Sequence, residues 1–258
     1  KGTQFPPQAL AAALAPANDL PLAGVQAYSI DDSQTTEIDD ALSVEGLGSG
    51  QVTLGIHIAA PALAIAPGDV LDGVAHTRLS TVYMPGYKIT MLPSEVVQHY
   101  TLEAGRPCPA LSFYAMFDEA TLTLQNVRSV IEQVNVIENL RTDALQNIVT
   151  PAWLEADPAA GADAAAPELP AALLRHRGAL AFLWRLAQQL KAQREVVRGK
   201  PETFTRPDFT FRLLRDEALQ DTPPNGNETV QIDIRQRGAP LDLIVSEMMI
   251  LVNHHWGQ

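Results

Sequence analysis

Cysteine is almost missing from this chain. A single thiol, Cys108, stands among 258 residues, which excludes an internal disulfide framework and suits a reducing compartment; a cytoplasmic location is the expectation. Long apolar runs are missing too. No stretch reaches the roughly 18 residues of a membrane-spanning helix, so no membrane partner is expected. The opening KGTQFPPQAL lacks the charged-then-apolar layout of a signal peptide. Positive charge is scarce: 18 Lys and Arg face 30 Asp and Glu, a net charge of −12. Duplex nucleic acid usually meets a basic footprint, so this balance argues mildly against nucleic acid as a partner. Internal repeats are absent. What remains, 46% apolar and 19% charged residues, is the composition of an ordinary globular protein, long enough for one large domain or two small ones.

The negative charge is unevenly spread. SIDDSQTTEIDDAL, residues 29–42, holds Asp31, Asp32, Glu37, Asp39 and Asp40 between the apolar segments VQAY and ALSV. Crowded carboxylates repel one another and cost free energy to desolvate, so something must compensate them. Hard divalent cations take oxygen ligands, and Mg²⁺ typically uses one or two carboxylates plus waters and substrate phosphates. The spacing Asp31-x5-Glu37-x-Asp39-Asp40 suits one or two Mg²⁺ ions presented to a phosphodiester. Such acids are neutralised once metal binds, which weakens the argument from net charge. An EF-hand calcium loop fits poorly, because Thr36 stands where its glycine belongs and Leu42 where its bidentate glutamate belongs. A solvated acidic turn remains open as a reading. Capping of backbone N–H groups explains one or two of the acids.

Residues 1–24, rich in Ala, Pro and Leu, read as a linker or the remnant of an upstream module. Segments 25–30, 41–45 and 51–60 read as strands, the last two a hairpin through GLGSG. Residues 67–80 read as a helix with Leu71, Ala75 and Leu79 on one face. Segments 108–117 and 121–134 read as paired strands, and 137–149 as a helix. The Ala-, Pro- and acid-rich stretch 153–170 reads as a flexible surface insertion. Residues 171–197 form a long helix with Leu173, Leu180, Leu183, Ala187 and Leu190 at helical spacing. Two strands, near 209–214 and 229–236, precede a buried helix over 241–257. That helix meets no stop signal, so a longer parent protein is the expectation.

SIDDSQTTEIDDALSV resembles the signature of the ribonuclease II/ribonuclease R (RNB) exoribonuclease family, Asp-x5-Asp-x-Asp-Asp-Ala. GIHIAAPALAIAPGDVLDGVAHTRLSTVYMPGYKITMLP then follows that family's order of motifs, and GRPCPALSF and LIVSEMMILVN continue it over residues 25–258. The resemblance implies an α+β catalytic domain with a mixed, largely antiparallel sheet and packed helices, incomplete at the C-terminus. It implies a processive 3′→5′ exoribonuclease that degrades single-stranded RNA to nucleoside 5′-monophosphates with Mg²⁺, Mn²⁺ substituting. A monomer with flanking OB-fold domains is expected. Asp31, Glu37, Asp39 and Asp40 map onto the catalytic and metal positions, with Asp40 the most critical. Tyr83 and Phe204 map onto the residues that stack against the terminal nucleotide, and Glu247 onto an RNA-facing position; a core tyrosine and a helix-surface acid are the competing readings for Tyr83 and Glu247.

Departures from the family pattern are also present. Glu37 stands in place of Asp, Ala60 in place of an acid, and Ser246 in place of the first of two glutamates. The family's later arginine motif, of the form SPIRRY, does not occur in the sequence. These departures keep a catalytically impaired RNA-binding protein as the alternative. An unrelated acidic calcium-binding or interaction module is the reading from charge alone. His57, on an apolar strand, reads as a core histidine, and Asp32 as a non-ligand.

Overall fold

A computed structural model describes residues 4–12, 19–156, 170–202, 208–215, 224–235 and 238–258. In chain order the elements are α1 (Pro7–Ala12), β1 (Leu22–Asp31), β2 (Asp40–Glu45), β3 (Gln51–Ala59), a 3-10 turn (Pro61–Ala64), α2 (Val70–Arg78), β4 (Val82–Met84), β5 (Tyr87–Ile89) and α3 (Ser94–Tyr100). They continue with β6 (Arg106–Asp118), β7 (Leu124–Arg141), α4 (Thr142–Leu145), α5 (Pro151–Glu155), α6 (Ala171–Arg198), β8 (Asp208–Leu214), β9 (Thr229–Arg235) and α7 (Pro240–Trp256). The described residues divide into two compact units. The larger draws on Asp19–Ala59, Thr101–Thr203 and Gly238–Gln258, the smaller on Lys1–Asn18, Ala60–Tyr100 and Phe204–Arg237.

The larger unit is a closed barrel in the order β1-β2-β3-β6-β7. Its pairs are antiparallel except one: β1 and β7 run parallel, from Gln26 opposite Asn135 to Asp31 opposite Arg141. That last pairing closes the sheet and removes its edges. It also overturns the helix expected over 137–149. The strand continues through Arg141 because β1 pairs with it there, from Tyr28 opposite Glu138 to Asp31 opposite Arg141, whereas β6 pairs only as far as Val136. Only Thr142–Leu145 then turn helical. Local propensity here yields to the parallel β1 ladder.

Inside and beside the barrel, α6 contributes Leu173, Leu180, Leu183 and Ala187, and α7 contributes Leu241, Ile244 and Met248, to one apolar core with Leu42, Leu54, Ile56 and Phe113. His57 is fully buried in β3, held between Ser43 Oγ (2.9 Å) and Ser112 Oγ (2.8 Å). Burial pushes its pKa down to about 3, so it is a neutral core histidine, as its apolar strand predicts. Gly55 makes room for this pair. A Cβ there would lie 2.7 Å from His57 Nε2 and closer still to Ser43 Oγ. Gly55→Ala is expected to destabilise the protein by about 1–3 kcal/mol, read as a lower urea midpoint.

The smaller unit packs Ala9, Leu71, Leu92, Val96 and Tyr100 together. Thus Pro7–Ala12, within the segment read as a linker, are helical, and Leu22–Gly24 already belong to β1. Helix α2 starts later than its apolar pattern predicts, because Asp69 caps it by accepting from Asp72 N at 2.7 Å. β4 pairs with β5, and β8 with β9, as two antiparallel hairpins. The interior of the stretch read as a flexible insertion, 157–169, lies outside the described residues; its first residues belong to α5. In the described residues no helix is long and apolar enough to cross a membrane.

Candidate active site

The acidic segment leaves the barrel at the end of β1 and re-enters it at the start of β2. Asp31 is the last residue of β1 and Asp40 the first of β2. Ile38 anchors the return: it is buried beside Ala27, Ala41, Leu102 and Cys108, its N–H bonds Thr101 Oγ1 (2.8 Å) and its carbonyl accepts from Leu102 N (2.9 Å). The Asp39 carbonyl accepts from Ala59 N at 2.8 Å. One buried isoleucine thus fixes the backbone from which Glu37, Asp39 and Asp40 project.

The outgoing side is tied to the start of α4. Thr142 Oγ1 donates to Asp32 Oδ1 at 2.6 Å. Ser33 donates to Asp143 Oδ1 through both its N–H (2.9 Å) and its hydroxyl (2.7 Å). The Arg141 guanidinium donates to the carbonyls of Asp32 (3.0 Å) and Thr35 (3.4 Å). Asp32 Oδ1 is thus engaged by Thr142.

The acids differ in environment. Burial raises the Asp31 pKa, against hydrogen bonding from Ser29 and the charge of Arg141, which lower it; the charge of Asp32 raises it further. Asp31 Oδ2 is buried and has no hydrogen-bond partner. Asp40 is pushed up to about 7 by burial first, then by the charges of Asp31 and Asp39. Glu37 is half-buried and Asp39 exposed. Among the described residues no three acidic, His or Cys side chains converge into a cage for metal. Coulomb repulsion acts over longer distances than coordination, which reconciles that finding with the coupling of Asp40 to its neighbours. Two partly buried carboxylates, one with an orphaned oxygen, are a donor set that fits Mg²⁺, an ion that leaves the rest of its shell to water and phosphate.

The remaining candidates divide. Tyr83, in β4 of the smaller unit, is 66% exposed, so it is not a core tyrosine. Phe204 lies outside the described residues. Glu247 is buried on α7, neither on the helix surface nor in reach of solvent; its carboxylate pairs with Arg194 of α6, which also bonds Glu202 at 2.7 Å. His255 stacks on Phe113 (5.2 Å between centroids), and His254 contacts Gln258. Arg141, Thr142 and Asp143 were not legible as site residues. Their partners lie some 110 positions away in sequence, and no local pattern marks them.

The sequence profile of the RNB domain matches residues 20–258. The chain belongs to the RNB domain family. An uncharacterized ribonuclease of Synechocystis sp. is 42% identical over 99 residues, 38% of this chain and 15% of that protein. Exoribonuclease 2 of Escherichia fergusonii is 40% identical over 92 residues, 35% of this chain and 14% of that protein. The matched stretches thus span a small part of these curated RNB relatives. Among solved structures, an active-site mutant of the Dss1 exoribonuclease from Candida glabrata superposes with a TM-score of 0.70 at 22% identity, over 91% of this chain and 30% of that one. Mycoplasma genitalium RNase R bound to ribose-methylated single-stranded RNA gives 0.68 at 15% identity, over 95% and 35%. Yeast Ssd1, a pseudonuclease, gives 0.51 at 19% identity, over 71% and 21%. At these identities the likeness speaks to the RNB fold, which is common to nucleases and a pseudonuclease alike.

Proposed function

We propose that this chain is a large part of the catalytic domain of an Mg²⁺-dependent exoribonuclease, which digests single-stranded RNA processively from the 3′ end and releases nucleoside 5′-monophosphates. The observation that carries the reading is the juxtaposition of Asp31 and Asp40, both raised in proton affinity, at the two ends of the acidic loop of an RNB-family chain. Asp31, Asp39 and Asp40 would hold the cation, with Glu37 assisting, and Mn²⁺ would substitute. Bound there, Mg²⁺ supplies Lewis acidity and charge neutralisation toward a phosphodiester. Asp31 and Asp40 must both be ionised to hold it, and their burial limits the competing water. The exposed ring of Tyr83 offers a sequence-tolerant stacking face for a base, worth about 1–3 kcal/mol. Phe204 takes the partner role by its sequence match alone. The full-length protein is read as a cytoplasmic monomer with flanking OB-fold domains, a reading that rests on the resemblance of the motifs alone.

The test is release of mononucleotides from uniformly labelled poly(A), and stepwise shortening of the same RNA labelled at its 5′ end, by the full-length protein with and without EDTA. EDTA-sensitive release from the 3′ end supports the reading. RNA binding with no release would favour the impaired, RNA-binding alternative that Glu37 and Ala60 leave open. A preference for Ca²⁺ without hydrolysis would favour a calcium module.

A pH signature accompanies the metal. In the folded protein Asp40 keeps its proton up to about pH 7, against an ordinary value of 3.8. Its contribution to stability is therefore complete at low pH and is lost as pH rises through about 7. A divalent cation replaces the missing proton. Mg²⁺ is expected to raise the melting temperature more at pH 8 than at pH 6. At a concentration 100-fold above Kd the gain is about 2.7 kcal/mol, or roughly 5–10 °C. Equal shifts at both pH values would show that Asp40 is not the group displaced.

A further inference from the structure

We infer that Arg141, Thr142 and Asp143 are positioning residues: a three-residue latch that sets the shape of the acidic loop and so the affinity of Asp31 for a divalent cation. The inference rests on the metal reading above and goes beyond it, because none of the three is an expected ligand. Each consecutive side chain takes hold of a different part of the loop. Arg141 holds the carbonyls of Asp32 and Thr35, Thr142 holds the Asp32 carboxylate, and Asp143 holds the amide and hydroxyl of Ser33. The fold explains why the three come in sequence. Arg141 lies opposite Asp31 in the parallel β1–β7 ladder, so the chain leaving β7 runs beside the chain leaving β1. Thr142 begins α4 at that point, and its hydroxyl and the Asp143 carboxylate turn toward residues 32 and 33.

The consequence for the site follows from the orphaned oxygen. Asp31 Oδ2 is buried without a hydrogen-bond partner, so the protein does not hold that oxygen by bonding it. Hydrogen bonding from Ser29 reaches the carboxylate but not that oxygen, so its direction is set by Ser29 together with the backbone on either side. On the N-terminal side that backbone is the β1 ladder; on the C-terminal side it is the latch. Outer-shell groups that orient a ligand typically change metal affinity or activity by about 10–100-fold when removed. Arg141 contributes a second effect of opposite sign, because its charge lies near Asp31 and opposes a cation. Thr142 carries no charge, so it reports on positioning alone.

The experiment uses the full-length protein and Mn²⁺ as the probe, titrated without RNA and followed by electron paramagnetic resonance of the free ion. Thr142→Val keeps the side-chain volume and removes the donor to Asp32. It is expected to weaken Mn²⁺ binding roughly tenfold and to raise the Mn²⁺ concentration needed for half-maximal mononucleotide release, with KM for RNA unchanged. Thr142→Ser keeps the hydroxyl and is expected to restore both. Ser33→Ala, which removes one of the two bonds to Asp143, is expected to shift the Mn²⁺ requirement the same way but less. A lower melting temperature in Thr142→Val with unchanged Mn²⁺ affinity would make the triplet merely structural and overturn the latch. A parent protein that binds Mn²⁺ while Thr142→Val binds it equally well overturns the latch alone; a parent that binds no Mn²⁺ overturns the metal reading and the latch together.

Discussion

Replacing Asp40 with Asn in the full-length protein is expected to lower mononucleotide release from single-stranded RNA by about 10²–10³-fold, the scale of losing one preorganised electrostatic group, while leaving RNA binding unchanged. The amide has the shape of the carboxylate but not its charge. It cannot serve as an anionic ligand, and it relieves the repulsion that Asp31 and Asp39 exert on Asp40. Without metal, at pH 8, the variant is therefore expected to be at least as stable as the parent. That outcome separates loss of chemistry from loss of fold. Rates from gel-resolved digestion, affinity from filter binding and a melting curve together check the prediction. Digestion of poly(A) at the parent rate would remove Asp40 from the chemistry.

Arg194→Met is expected to produce the largest loss of stability. Arg194 spans from α6 to Glu247 on α7 and to Glu202, whose N–H is in turn held by Glu195 Oε1 at 2.8 Å. The two glutamates hold the Arg194 guanidinium firmly protonated. The Glu247 side chain is only 2% exposed, so removing its cation leaves a buried charge without compensation. Breaking such a pair costs about 3–5 kcal/mol. Arg194 is 28% exposed, and water can reach its side of the pair, which places the expected loss near the lower end. About 3 kcal/mol corresponds to roughly 6–12 °C in melting temperature. Adding Glu247→Gln to the variant removes the orphaned charge and is expected to recover much of the loss. If Glu247 instead met RNA directly, Glu247→Gln alone would weaken RNA binding; an internal ion pair predicts that it does not.

Much of the fold was legible because burial leaves a period in the sequence. Val52, Leu54 and Ile56, two residues apart, and the helical spacing of Leu173, Leu180, Leu183 and Ala187 each reflect one face meeting the core. The misread segment, 137–149, is instructive. Val136, Ile137, Glu138, Asn139 and Leu140 suit either state, and what decides is a parallel partner, β1, more than a hundred residues earlier. The acids of the loop were legible for a different reason: crowded charge between apolar strands is expensive and so conspicuous. Glu247 was only half legible, since its sequence context marks a position on a buried helix but not the arginine that neutralises it.

The sequence alone determined the strands and helices whose periodicity is local, the acidic cluster, and membership of the RNB family through the order of its motifs. Tertiary structure alone decided the barrel closure, the division into two interleaved units, and the Arg141–Asp143 hold on the acidic loop. The physical reason is separation along the chain. Periodicity and charge density are properties of neighbouring residues, whereas ladder pairing and side-chain bonds across 110 residues exist only once the chain has folded.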